Sequence, residues 1–208
     1  IHLNIGQPDI DSPEVSFKAL KEDPRTVIEY SPSEGYESYR KNLAAYYRRG
    51  GVDVNTEDVI ITTGGSEALI FGLMSSMDPG DEVIIPEQFY ANYNSFAHMA
   101  GLKVVPVRAV IEDGFSLPQM EDFEGVITSK TKAILICNPG NPTGKVYAPE
   151  AIDELAKLCL KHDLYLMADE VYREFCYGDK IAGSVMNLKG LEQNAIMIDS
   201  VSKRFSMC

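Results

Sequence analysis

Four stretches of the chain carry residues whose types and spacing could do chemistry. Thr62-Thr63-Gly64-Gly65-Ser66 leads into a helical pattern at Ser66–Met77. Two glycines let backbone amides approach an anion, and a helix N-terminus adds partial positive charge, so this stretch suits a phosphate. Helix capping alone would also place glycine and serine there. Asp169 closes the apolar run Leu164–Ala168. A carboxylate at the inner end of a buried strand is costly unless a cation or donor meets it; an N-cap or a salt bridge would serve equally. Asn138-Pro139-Gly140-Asn141-Pro142-Thr143-Gly144 is stiff and turn-rich. It either makes plain Asx turns or fixes one amide against a ligand. Lys203 follows the apolar run Ala195–Ile198, with Ser200 and Ser202 before it. A lone lysine beside Arg204 is by default a surface residue.

Taken together, the four stretches ask for one ligand. An amine, a buried acid and an anion cup suit an aldehyde cofactor. Pyridoxal 5'-phosphate needs an amine for an imine, a carboxylate on its pyridinium nitrogen and donors on its phosphate. Other ligands fit less well. The phosphate-loop pattern GxxxxGK[ST] is missed by one residue at Gly140–Lys145, and GxGxxG is absent, which counts against a nucleotide-binding doubly wound domain. Asp169-Glu170 has no histidine at ligand spacing, and His2, His98 and His162 are isolated, so no metal site is expected.

Those residues need elements to position them. Short apolar, β-branched runs recur at Val59–Thr62, Glu82–Ile85, Lys103–Val107, Lys132–Cys137, Leu164–Ala168 and Ala195–Ile198. Most are continuous rather than alternating, as in strands covered on both faces. Helical patterns lie between them at Ser66–Met77, Asn92–Ala100 and Pro149–His162, the last with proline suited to a first turn. The class is therefore α/β, a mostly parallel sheet flanked by helices. Residues 1–35, with Pro8, Pro13 and Pro24 and one short helical candidate at Pro13–Lys21, read as an arm or edge segment. Residues 36–208, opening with a helix at Tyr36–Arg49, read as the sheet domain. In such sheets ligands gather at the carboxyl ends of strands. The segments TTGGSEA, PEQFYANY, NPGNPTG, DEVY and DSVSK each follow a strand and should converge on one crevice.

Composition narrows the partners. With 31 acidic and 19 basic residues among 208, the net charge of −12 disfavours a nucleic-acid groove or an anionic membrane surface. No apolar stretch approaches the roughly 20 residues of a spanning helix. The 4 cysteines are widely spaced and form no CxxC pair. Free thiols and no signal peptide point to the cytoplasm, although the chain begins at Ile1 and a lost leader stays open.

The motifs GxP near the start, YSPSEG, TTGGSEA, NPGNPTG, DEVY and SxSK, in this order, resemble the class I/II aminotransferases, fold-type I pyridoxal phosphate enzymes. The resemblance runs over essentially the whole chain. It implies that Lys203 holds the cofactor as a Schiff base and moves the proton at the substrate's Cα. It implies that Asp169 keeps the pyridine nitrogen protonated, that Asn141 and Tyr172 bond the ring's phenolic oxygen, and that Tyr90 stacks on the ring. Gly64, Gly65, Ser66 and Ser200 would bind the phosphate. Tyr30 would reach the phosphate of a neighbouring subunit, implying a homodimer with shared sites, and Gly6 and Asn141 would face the substrate. Amino-acid and 2-oxo-acid substrates are implied with them.

The sequence also departs from the family. SxSK is usually followed by GxRxG, whose arginine binds phosphate, and by a small C-terminal domain that clamps the substrate's carboxylate; here the chain stops at Cys208. The expectation is a partial large domain with a bare sheet edge, inactive by itself. Two other activities share the machinery: a C–S β-lyase, and the aminotransferase-like sensor domain of a transcriptional regulator.

Overall fold

The computed structural model describes residues 6–179 and 181–208; His2 lies outside them. The continuous apolar runs form the strands of one sheet. They are β1 (Glu82–Pro86), β2 (Lys103–Val107), β3 (Thr131–Cys137), β4 (Tyr165–Asp169) and β5 (Ala195–Ile198). All neighbours pair in parallel, in the order β2-β1-β3-β4-β5. The strand order thus reverses direction between β1 and β3, the kind of point at which the loops of such sheets diverge.

Successive side chains of a strand point to opposite faces; β1, β3 and β4 are covered on both, while the outer strands β2 and β5 are only partly buried. Ile84, Ile134, Ile136, Leu166 and Ala168 point one way, into a core with α6 (Pro149–His162) and Phe123 of α5 (Met120–Glu124). Val83, Ile85, Ala133, Leu135 and Met167 point the other way, onto α3 (Gly65–Ser76) and α4 (Asn92–Met99). Burying each such side chain is worth about 1.5–3 kcal/mol, which explains why these strands carry no polar alternation. Ahead of the sheet lie α1 (Glu14–Lys21) and α2 (Glu37–Arg49); Ala44 of α2 packs on Val52 and Val54.

One expected strand is absent. Val59–Thr62 runs on from the short turn Thr56–Asp58 in extended form, but pairs with no strand. Its Ile61 amide donates instead to the Glu34 carbonyl at 3.0 Å. A ladder needs a neighbour, and β5 is held off by a groove of about 1090 Å3, lined by Ile60, Ile61, Phe71, Ile196 and Ile198 among others. The YSPSEG turn closes over this segment. A Cβ on Gly35, which has φ +94°, would lie 2.4 Å from Ile61 Cγ1, so only glycine fits.

Candidate active site

Parallel register delivers the chemistry of three strands at one end. Cys137 of β3 pairs with Asp169 of β4, and Asp169 with Ile198 of β5. The segments Asn138–Gly144, Asp169–Tyr172 and Asp199–Lys203 therefore leave the sheet side by side.

Asp169 is 7% exposed. Tyr93, in the first turn of α4, donates its hydroxyl to Asp169 Oδ2 at 2.7 Å, and the Val171 amide donates to Oδ1 at 3.2 Å. Burial pushes the Asp169 carboxyl above its usual value; the two donors oppose the rise and the Asp199 charge adds to it. Among the described residues no cation pairs with Asp169. The Tyr93 phenol is raised well above its ordinary value, first by burial and then by the Asp169 charge, so it stays a donor.

Aromatic rings line the same end. Tyr90 meets Tyr93 edge-on, with ring centroids 5.5 Å apart, and its hydroxyl accepts from Asn92 at 2.7 Å. Tyr172 packs against the same core cluster as Tyr90. Asn141 Nδ2 donates to the Tyr172 hydroxyl at 3.5 Å. The loop carrying Asn141 is closed on itself: the Gly140 amide donates to the Lys145 carbonyl and the Gly144 amide to the Gly140 carbonyl, both at 2.8 Å. A Cβ on Gly140 would lie 2.8 Å from Thr143 Oγ1. Asn138, 4% exposed, bolts the loop to the sheet by donating its amide to the Asp169 carbonyl at 3.0 Å.

Gly64 caps α3, and Gly65 and Ser66 form its first turn. Among the described residues nothing accepts from the Gly65 and Ser66 amides, as expected of a helix start. Ser200 lies against them, its Cβ 3.6 Å from where a Gly65 Cβ would sit. Ser200 also caps α7 (Val201–Arg204), accepting from the Ser202 amide at 3.1 Å. Lys203 stands on that short helix, and its Nζ donates to the Gly6 carbonyl at 3.0 Å, drawing the arm onto the amine. Tyr30 is brought to none of these; it is fully exposed.

The aminotransferase class I and II family, compared as a sequence model, matches residues 1–208. The chain belongs to that family. It is 35% identical to a putative aminotransferase of Bacillus subtilis, YugH, over all of this chain and 54% of that protein. It is 34% identical to the aspartate/prephenate aminotransferase of Thermus thermophilus, over all of this chain and 53% of that protein. Among solved structures, the aspartate aminotransferase of Thermotoga maritima superposes with a TM-score of 0.92 at 32% identity, covering 100% of this chain and 55% of that one. The chain spans about half the length of the curated relatives it matches. It has the parallel sheet and flanking helices of these aminotransferases.

Two residues of this aminotransferase end escape a reading by motif. Tyr93 is the donor that satisfies Asp169; a second tyrosine three places after Tyr90, one helical turn on, was the available signal. Asp199 ends the apolar run of β5 as Asp169 ends that of β4, and is buried in the same way. No group of His, Cys, Asp and Glu among the described residues could hold a metal ion, and none of the described helices is long and apolar enough to cross a membrane.

Proposed function

We propose that this chain forms the cofactor-holding part of a pyridoxal 5'-phosphate-dependent aminotransferase, which moves an amino group between an L-amino acid and a 2-oxo acid. One observation carries the reading. A buried acid without a cationic partner among the described residues, Asp169, shares one end of the sheet with the Gly65–Ser200 contact and the Lys203 amine. These residues fit the group, because each satisfies a part of it that the others cannot.

When bound, pyridoxal phosphate supplies an aldehyde carbon and a cationic ring able to take up the electrons released at the substrate's Cα. The residues do the rest. Asp169 would hold the proton on the ring nitrogen; with water excluded, an ion pair there gains strength that it would lack at the surface. The amides of Gly64, Gly65 and Ser66 and the hydroxyl of Ser200 would bind the phosphate. Lys203 Nζ would hold the cofactor at its aldehyde carbon and, as a free amine, would carry the proton to and from the substrate's Cα. Asn141 and Tyr172 would orient the ring through its phenolic oxygen, and Tyr90 would lie on its face. Gly6 and Asn141 would face the substrate's carboxylate. Tyr30, exposed on its own subunit, is left to serve the phosphate of a second copy in a homodimer.

The test uses the natural polypeptide carrying this sequence, supplied with pyridoxal phosphate. Amino transfer from an L-amino acid to a 2-oxo acid, abolished by Lys203→Ala, is expected. Release of pyruvate and ammonia from cystathionine without an added acceptor, in place of transfer, would replace the reading with a C–S β-lyase. A protein that binds the cofactor through Lys203 and turns over neither substrate would point to a sensor domain and overturn it.

A further inference from the structure

Asp199 and Arg204 bracket the turn that carries Lys203. Their side chains, both 5% exposed, meet across Ser200–Lys203: Arg204 Nη2 donates to Asp199 Oδ1 at 2.7 Å. The same oxygen accepts the Ser200 amide at 2.7 Å. One carboxylate thus grips the turn where it starts and where it ends.

The pair continues inward. Arg173 Nη2 lies 3.9 Å from Asp199 Oδ2, and Arg173 Nη1 donates to Glu170 Oε2 at 3.0 Å. Glu170, 1% exposed, follows Asp169 directly and also accepts the Ser184 hydroxyl at 3.0 Å and the Val185 amide at 2.8 Å. Opposite charges therefore alternate from the neighbour of the buried acid to the neighbour of the amine. The ring of Tyr47 covers the Arg173 guanidinium at 5.3 Å, and that of Tyr46 covers Arg204 at 5.8 Å.

Buried ion pairs are poor sources of net stability, because desolvation consumes most of the attraction. This one also leaves Asp199 Oδ2 and Arg204 Nε without hydrogen-bond partners. What it does supply is position. We infer that the Asp199–Arg204 pair sets the Lys203 turn, with Arg173 and Glu170 tying that setting to the end of β4 that carries Asp169. The inference rests on the reading of Lys203 as the cofactor-holding amine. All four are positioning residues, acting through Lys203 and Asp169.

The natural polypeptide loaded with pyridoxal phosphate provides the readout. The visible absorbance of cofactor held by Lys203 titrates with pH, and its midpoint reports the surroundings of that nitrogen. Arg204→Met keeps the length of the side chain and removes the bracket. Its midpoint is expected to move by about half a unit or more, with cofactor affinity falling roughly tenfold, and Arg204→Lys is expected to recover part of both. A melting temperature that falls while the midpoint stays put would mean a structural pair only and would overturn the inference. If Arg204→Met fails to fold, the double variant Asp199→Asn/Arg204→Met, which leaves Arg173 paired with Glu170 and strands only the half-exposed Glu174 carboxylate, decides on the same criterion. Lys203→Ala tests the underlying reading separately: an absorbance that survives it sinks the role of Lys203, whatever the Arg204 variants do.

Discussion

Tyr93→Phe removes a single oxygen and isolates the electrostatics of Asp169. In the folded chain the Asp169 carboxyl sits above its ordinary value, principally through burial. A raised carboxyl binds its proton more tightly folded than unfolded. Its contribution to stability is therefore fullest below the unfolded value and is lost as pH rises through the folded one. The Tyr93 hydroxyl, 2.7 Å from Oδ2, limits that loss by stabilising the ionised form. A hydrogen bond to a charged group is worth about 1.5–3 kcal/mol, and one pH unit corresponds to about 1.4 kcal/mol. Without the hydroxyl, ionisation of Asp169 should need a pH higher by about one to two units. Two consequences are measurable. The acid limb of pyridoxal phosphate binding, followed by absorbance across the pH range, should move up by that amount. The cofactor-free variant should also lose more stability than the parent between acid and neutral pH. A folded Tyr93→Phe protein whose binding limb has not moved would refute Asp169 as the group that must ionise for the cofactor to bind.

Other perturbations test the scaffold. Gly35→Ala forces a Cβ to within 2.4 Å of Ile61 at a left-handed φ of +94°; a loss of about 1–3 kcal/mol in urea unfolding is expected, and an unchanged midpoint would contradict the close approach. Phe123→Ala empties a fully buried position between α5 and the sheet and should cost about 3–5 kcal/mol by the same measurement. Lys103, with Thr128, holds the Glu82 carboxyl below its ordinary range. Its stability is present above the unfolded pKa and lost as pH falls through the folded one, so Glu82→Gln should flatten the acid side of a stability–pH curve. The 208 residues alone, with cofactor added, are expected to associate through the bare β5 edge and to show no amino transfer; robust turnover by this piece would sink that expectation.

Much of the scaffold was legible because continuous apolar runs and 3.6-residue periodicity report local burial directly. Lys103–Val107, Ala195–Ile198 and Pro149–His162 form the expected elements over the same residues. Val59–Thr62 was not legible, because β-branched composition fixes an extended backbone but not a partner, and pairing is a property of the neighbour. The site divides in the same manner. Asn141, Asp169 and Lys203 can be singled out by their placement at or after the ends of β3, β4 and β5, and Gly65 by the Gly-Gly-Ser start of α3. Tyr93 and Asp199 matter through contacts made 76 residues away in one case and with Arg204 and Arg173 in the other. Tyr30, read from its motif, is fully exposed and meets none of the other candidate residues among those described.

The buried acid and the amine hang from unequal supports. β4, which ends at Asp169, is laddered on both sides, by β3 and β5. Among the described residues, β5, which leads to Lys203, is laddered on one side only. Within these 208 residues, backbone amides of β5 and α7 should then exchange with solvent sooner than those of β4, so the acid is held more stiffly than the amine.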